Sequence, residues 1–153
     1  MNGLWLRAAG AGRKYAPAAP IKRLRAAAQL HRRSRLSVAL SELEAARVRK
    51  AVGGFVERRR PPPHIRPKLD LGFRVLGQSV GLFEVRPVWR GAPGEKQEQP
   101  FAKATYVRTR GRWRVFWQRR DLKWHGYEPA PEVATIEEFV ALVHEDRYAC
   151  FFG

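Results

Sequence analysis

Between residues 69 and 75 the chain alternates: Leu69, Leu71, Phe73 and Val75 are interleaved with Asp70, Gly72 and Arg74. Side chains on a strand point to opposite faces with a period of two, so this run predicts a β-strand with one face buried. A single strand cannot satisfy its own backbone, and partners must follow. Gly77-Gln78 supplies a two-residue turn into a second strand over 79–89. Residues 90–100, rich in Gly, Pro and Glu, read as a loop. A third strand is expected over 101–109, Arg110-Gly111 as a two-residue hairpin turn, and a fourth strand over 112–119.

The flanks switch to helical signals. Ser41 and Glu44 form a capping box, preceded by Leu40, and open a helix expected to run to about Val56. Leu43, Val48, Val52, Phe55 and Val56 fall roughly on one side of it. Gly53-Gly54 weakens its last turn, and Arg58-Arg59-Arg60-Pro61-Pro62-Pro63 stops it, leaving a stiff extended connector. Thr135 and Glu138 form a second box, before a helix bearing Ile136, Phe139, Val140 and Val143. The expected fold is α+β: an N-terminal helix, a four-stranded antiparallel meander and a C-terminal helix. Both helices would cover one face of the sheet and leave the other partly wet.

Register assigns side chains to faces. If Arg110-Gly111 is the turn, Tyr106 faces Val115 and Ala104 faces Trp117. Ala102, Ala104, Tyr106, Trp113, Val115 and Trp117 then share the core face, and Lys103, Thr105, Arg112, Arg114, Phe116 and Gln118 the other. With Gly77-Gln78 as the first turn, Leu69, Leu71, Phe73, Val75, Val80 and Leu82 face the core. Glu84 and Arg86 continue that face, which puts an acid where the pattern wants an apolar residue.

Hydrophobic residues make up 44% of the chain, too many for disorder throughout. The single cysteine, Cys150, excludes an intrachain disulfide and a zinc site built on paired cysteines, and fits a cytoplasmic location. No apolar run has the length to span a bilayer, so no membrane is expected as a partner. The net charge of +16 is unevenly spread: residues 1–37 carry nine basic side chains and no acid, which leaves +7 for the remaining 116. That Ala/Arg-rich segment has the acid-poor composition of a transit peptide and of a nucleic-acid-binding arm. We read it as an extension outside the fold, disordered or upstream of the true start, with Val38-Ala39-Leu40-Ser41 as a natural N-terminus. The domain is then 38–153.

Several stretches resemble a known family. They are Gly77-Gln78-Ser79-Val80, Phe83-Glu84-Val85-Arg86-Pro87, Ala102-Lys103-Ala104-Thr105-Tyr106-Val107, Asp121-Leu122-Lys123-Trp124-His125 and the tail Tyr148-Ala149-Cys150-Phe151-Phe152-Gly153. Together they look like the bacterial family of domain of unknown function 3024, over about residues 40–153. The resemblance implies a small stand-alone bacterial protein; it carries no activity and no functional residue.

Three constellations carry candidate chemistry. Glu84 with Asp121-Leu122-Lys123 is the minimal set of a metal-dependent nuclease: two carboxylates for Mg²⁺ or Mn²⁺ and a lysine for developing phosphate charge. The ordinary alternative is an ion pair between Glu84 and Arg86. Lys103, Arg112, Arg114 and Phe116, with Arg119 and Arg120 following, form a basic face with an aromatic ring, suited to single-stranded nucleic acid. Trp89 and Trp124 are candidates to lie nearby, and Arg58, Arg59 and Arg60 add a second positive cluster. The alternative is a solvated sheet face, which is commonly mixed and charged. His125, with Asp121 or Glu128, has the composition of a general base; more often such a histidine makes one satisfied hydrogen bond. His64, His125, His144 and Cys150 are too scattered for a metal motif.

The expected function is a binding module, not an enzyme and without cofactor, with DNA or RNA as the leading ligand. The alternatives are the nuclease, with Mg²⁺ or Mn²⁺, and a protein-interaction module. Five tryptophans and the apolar tail also make a homodimer plausible.

Overall fold

The structure is a computed structural model, described here for residues 39–152. The expectation for residues 1–37 lies outside them. Helix α1 (Glu42–Arg59) is followed by strands β1 (Asp70–Leu76), β2 (Ser79–Pro87), β3 (Lys96–Val107), β4 (Arg112–Gln118), β5 (Trp124–Gly126) and β6 (Glu132–Val133), then helix α2 (Ile136–Glu145). The class is α+β with an antiparallel sheet, and the expected four strands become six. Strands β1 to β5 form a meander, while β6 pairs with β4 beside β5. The two added strands are short, two and three residues, and span too little sequence to show an alternation.

The Ser41 capping box is present in full: the Glu44 N–H donates to Ser41 Oγ (3.3 Å) and the Ser41 N–H to Glu44 Oε2 (2.7 Å). Ala45, Val48, Val52, Phe55 and Val56 form the buried stripe of α1, spaced three and four apart. Leu43, expected on that stripe, is 82% exposed; it falls in the first turn, off the angular sector the others define. At α2, the Glu138 N–H donates to Thr135 Oγ1 (3.2 Å), but the Glu138 carboxylate accepts from the Ala134 N–H (2.9 Å) rather than closing a box.

Gly77-Gln78 forms the two-residue turn, with Leu76 opposite Ser79 and only Gly77 at positive φ (60°), as a type II′ turn requires. The hairpin between β3 and β4 differs from the two-residue reading. Its loop has four residues, 108–111, with Gly111 at φ 62°, and Tyr106 faces Trp113 while Ala104 faces Val115. The N–H groups of Arg110 and Gly111 both reach the Val107 carbonyl, which closes the wider loop. The register moves by two residues, so every side chain keeps its expected face.

Strand β3 also starts earlier than expected. Residues 96–100 pair with the far half of β2 after a bulge between Leu82 and Phe83. Pro100 pairs with Phe83 beside that bulge, beyond the part of β3 that β4 covers, so its missing N–H interrupts no β3–β4 bond. Beyond Leu82 the two strands form an open ribbon, with residues 91–100 exposed.

One cluster joins Val48, Val52 and Phe55 of α1 and Phe139 and Val143 of α2 to Val80, Leu82, Ala102, Ala104, Trp113 and Val115. These sheet positions alternate along their strands, so both helices pack on the same face. Full burial of residues such as Leu82 and Phe139 contributes roughly 1.5–3 kcal/mol each. Phe83, Phe116 and Trp124 lie outside the cluster, on the other face.

Candidate functional site

Successive rungs set out the outer face. Arg74, Gly81, Lys103, Phe116 and Gly126 form one row across β1 to β5, and Leu76, Ser79, Thr105, Arg114 and Glu132 the next. In the first row a Cβ added to Gly81 or Gly126 would meet nothing within 4 Å, so the two glycines leave open floor on either side of Lys103 and Phe116. The Lys103 ammonium lies 4.9 Å from the Phe116 ring centre and 4.4 Å from that of Trp124. Burial between the rings pushes the Lys103 pKa down. The Arg114 guanidinium stands 5.2 Å from the other neighbour of this group, the Phe116 ring. Near the sheet edge Arg74 approaches the Phe83 ring at 5.3 Å and pairs with Glu98 at 2.8 Å. Lys103, Arg112, Arg114 and Phe116 therefore share one face, and Trp124 joins them through β5, a strand the sequence pattern did not reveal.

Arg119 and Arg120 follow β4 into a tight turn and leave that row. They line an open groove of about 990 Å³ at the end of the sheet, whose walls also include Glu84, Arg86, Phe101, Trp117, Asp121 and Phe152. The Arg119 guanidinium lies 4.9 Å over Trp117. The Arg58-Arg59-Arg60 cluster divides. Arg60 binds Asp70 through Nε (2.8 Å) and Nη2 (2.7 Å), and Glu57 through Nη1 (3.0 Å). Arg59 lies 4.5 Å over Phe152, and Arg58 borders a cleft with Phe55 and His144 on the helix side. Trp89 is 84% exposed at the tip of the β2–β3 ribbon.

Glu84 keeps the facing that its parity assigns, opposite Leu71, yet it is not enclosed: the packed core ends at Leu82 and the groove begins. Arg86 Nε donates to Glu84 Oε2 at 2.7 Å. Asp121 borders the same groove, but its carboxylate is occupied within its own turn. It accepts from the Lys123 backbone N–H (2.9 Å) and meets His125 Nε2 (2.9 Å). The Lys123 N–H, then His125, hold the Asp121 carboxyl below the usual range. Lys123 thus meets Asp121 through its backbone, and its side chain is not part of the groove wall. Among the described residues no three His, Cys, Asp or Glu side chains gather where a metal ion could be held. Of the nuclease candidates, Glu84 and Asp121 border the same groove, and His125 is brought to Asp121.

Sequence reasoning missed Asp146. It ends α2 in a left-handed conformation (φ 38°), and its carboxylate accepts from the N–H groups of Cys150, Phe151 and Phe152 at 2.8, 3.0 and 2.8 Å. The tail is folded back so that Phe151 packs on Tyr127 and Phe152 on Phe101, each with ring centres 5.0 Å apart. The signal was an acid shortly before an apolar tail, too common a pattern to single out.

The family model described as Domain of unknown function (DUF3024) matches residues 40–153. The chain belongs to this family. The DUF3024 match begins one residue before the Ser41 cap and takes in the outer face, the groove and the Asp146-bound tail. No curated protein and no solved structure matches the chain. No helix among the described residues is long and apolar enough to cross a membrane.

Proposed function

We propose that this DUF3024 domain is a binding module for single-stranded nucleic acid, with the outer sheet face as its platform. The observation that carries this reading is the Lys103 ammonium between the rings of Phe116 and Trp124, on a face that lies outside the core cluster. Bases present flat apolar faces and phosphates present negative charge at a regular spacing; rings beside cations match both. Arg112 and Arg114 extend the positive charge along β4 on the same side. A duplex hides its bases within the stack and would meet only the cations, so the aromatic component favours a single strand.

The test is fluorescence anisotropy of the full chain with labelled single-stranded and duplex oligonucleotides, DNA and RNA, over a salt series. Single strands should bind roughly tenfold more tightly than a duplex of the same sequence, and binding should weaken steeply with salt. Absence of binding at low salt, or a preference for duplex, would sink the reading.

A further inference from the structure

We propose that the groove at the end of the sheet is a separate site for a nucleoside monophosphate. At about 990 Å³ it has the size of a small-molecule site, and its lining combines apolar rings with a few polar groups, the usual composition of such sites. Trp117 and Phe152, both half-buried, supply the apolar part, and Phe101 is buried against Phe152. That surface suits a flat body rather than a bare ion.

Charge selects the rest of the ligand. The groove's two acids both have partners: Glu84 pairs with Arg86, and Asp121 accepts the Lys123 backbone N–H and meets His125. Arg119 and Arg120 line the groove and form no ion pair with a carboxylate among the described residues, although the charge of Arg119 helps to hold the Asp121 carboxyl low. The balance calls for an anion, and a phosphate meets a guanidinium through charge-assisted hydrogen bonds. Hydrogen-bonding capacity then separates a nucleobase from a plain aromatic ring. Arg86 engages only Oε2 of Glu84, which leaves Oε1 as an acceptor. Gln118 donates its amide to the Leu122 carbonyl (3.1 Å), which leaves its own carbonyl oxygen as another. Acceptors of this kind suit the exocyclic amine of a base. The site goes beyond the nucleic-acid platform and does not rest on it, since Trp117 and Phe116 project from opposite faces of β4.

Calorimetric titration of the full chain with adenosine monophosphate tests the site, with adenosine, inorganic phosphate and phenyl phosphate as comparisons. Adenosine monophosphate should bind with a dissociation constant of about 1 mM or lower, and each comparison roughly tenfold more weakly. Arg120 is exposed, so Arg120→Ala should fold normally and weaken the nucleotide by roughly tenfold, while Phe116→Leu should leave nucleotide affinity unchanged. No saturation by adenosine monophosphate overturns the proposal. So does equal binding of phenyl phosphate, or affinity lost in Phe116→Leu and kept in Arg120→Ala, which would assign the nucleotide to the outer face. Failure of oligonucleotide binding with the nucleotide result intact would instead remove the platform and leave the groove.

Discussion

Asp146 holds Phe152: the carboxylate Oδ2 accepts the Phe152 backbone N–H at 2.8 Å, while Oδ1 takes those of Cys150 and Phe151. Three converging N–H groups on one carboxylate make a small anion nest in reverse, with the anion supplied by the chain itself. It holds the tail where Phe151, 5% exposed, can complete the core.

Asp146→Ala should therefore destabilise the domain by about 2 kcal/mol, since it strands three donors and places alanine at positive φ. Asn, which tolerates that conformation and keeps one acceptor oxygen, should cost less. Urea unfolding gives the energies, and amide exchange at residues 150–152 gives the location. An Ala variant with unchanged midpoint and unchanged exchange would show that the rings alone hold the tail.

Arg60 and Asp70 join the end of α1 to the start of β1 across the three prolines. The Arg60 hydrogen bonds are the main reason the Asp70 carboxyl titrates below its ordinary value. A depressed carboxylate contributes stability that is fully present above its unfolded pKa, about 3.9, and is lost as pH falls through the folded value. The stability gap between the wild type and Asp70→Asn should thus be constant from about pH 7 to 5 and close as pH falls below about 4. A gap independent of pH would mean that the side chain matters for its shape and not its charge.

Much of this architecture is legible in the residues, and the failures have physical causes. The strict alternation of β1 and the Gly77 turn leave a single register, and both helix caps announce themselves. The β3–β4 hairpin looked like a two-residue turn because Gly111 follows Arg110; the glycine instead closes a four-residue loop. Parity survives a shift of two, so the outer face of Lys103, Arg112, Arg114 and Phe116 was read correctly from a wrong register. Trp124 could be named as a neighbour of that face but not assigned to a strand, because a three-residue strand has no periodicity to detect. Glu84 was placed on the right side of β2, where its side chain is 20% exposed at the groove, since pattern shows which way a side chain points and not where the core ends.

Lys103 separates function from stability. Its ammonium is partly desolvated between two rings, which lowers its pKa. Here the usual lysine case is inverted: the unfolded chain holds the proton more tightly, so stability should rise with pH in the interval just below the ordinary value of about 10.4. Lys103→Met should remove that rise. At pH 7 it should be as stable as the wild type within about 0.5 kcal/mol, or more stable. A marked loss of stability at neutral pH would recast Lys103 as a structural clamp on Phe116 and Trp124.

Arg114 and Phe116 should fail in different ways if the outer face binds a single strand. A cation that contacts one phosphate releases a counterion, so Arg114→Ala should reduce the slope of log affinity against log salt by about 0.7. Phe116 carries no charge and offers its ring to a base. Phe116→Leu should leave the slope unchanged and weaken binding at every salt concentration, by roughly 1–3 kcal/mol if a full base stack is lost. The measurement is anisotropy with an oligothymidylate of about 12 nucleotides, within the range of known single-strand sites. Parallel changes in both slopes would point to unfolding or to a shared contact. Loss of slope in Arg114→Ala with no effect of Phe116→Leu would reduce the platform to a diffuse positive surface, because the rings would then have no part in binding.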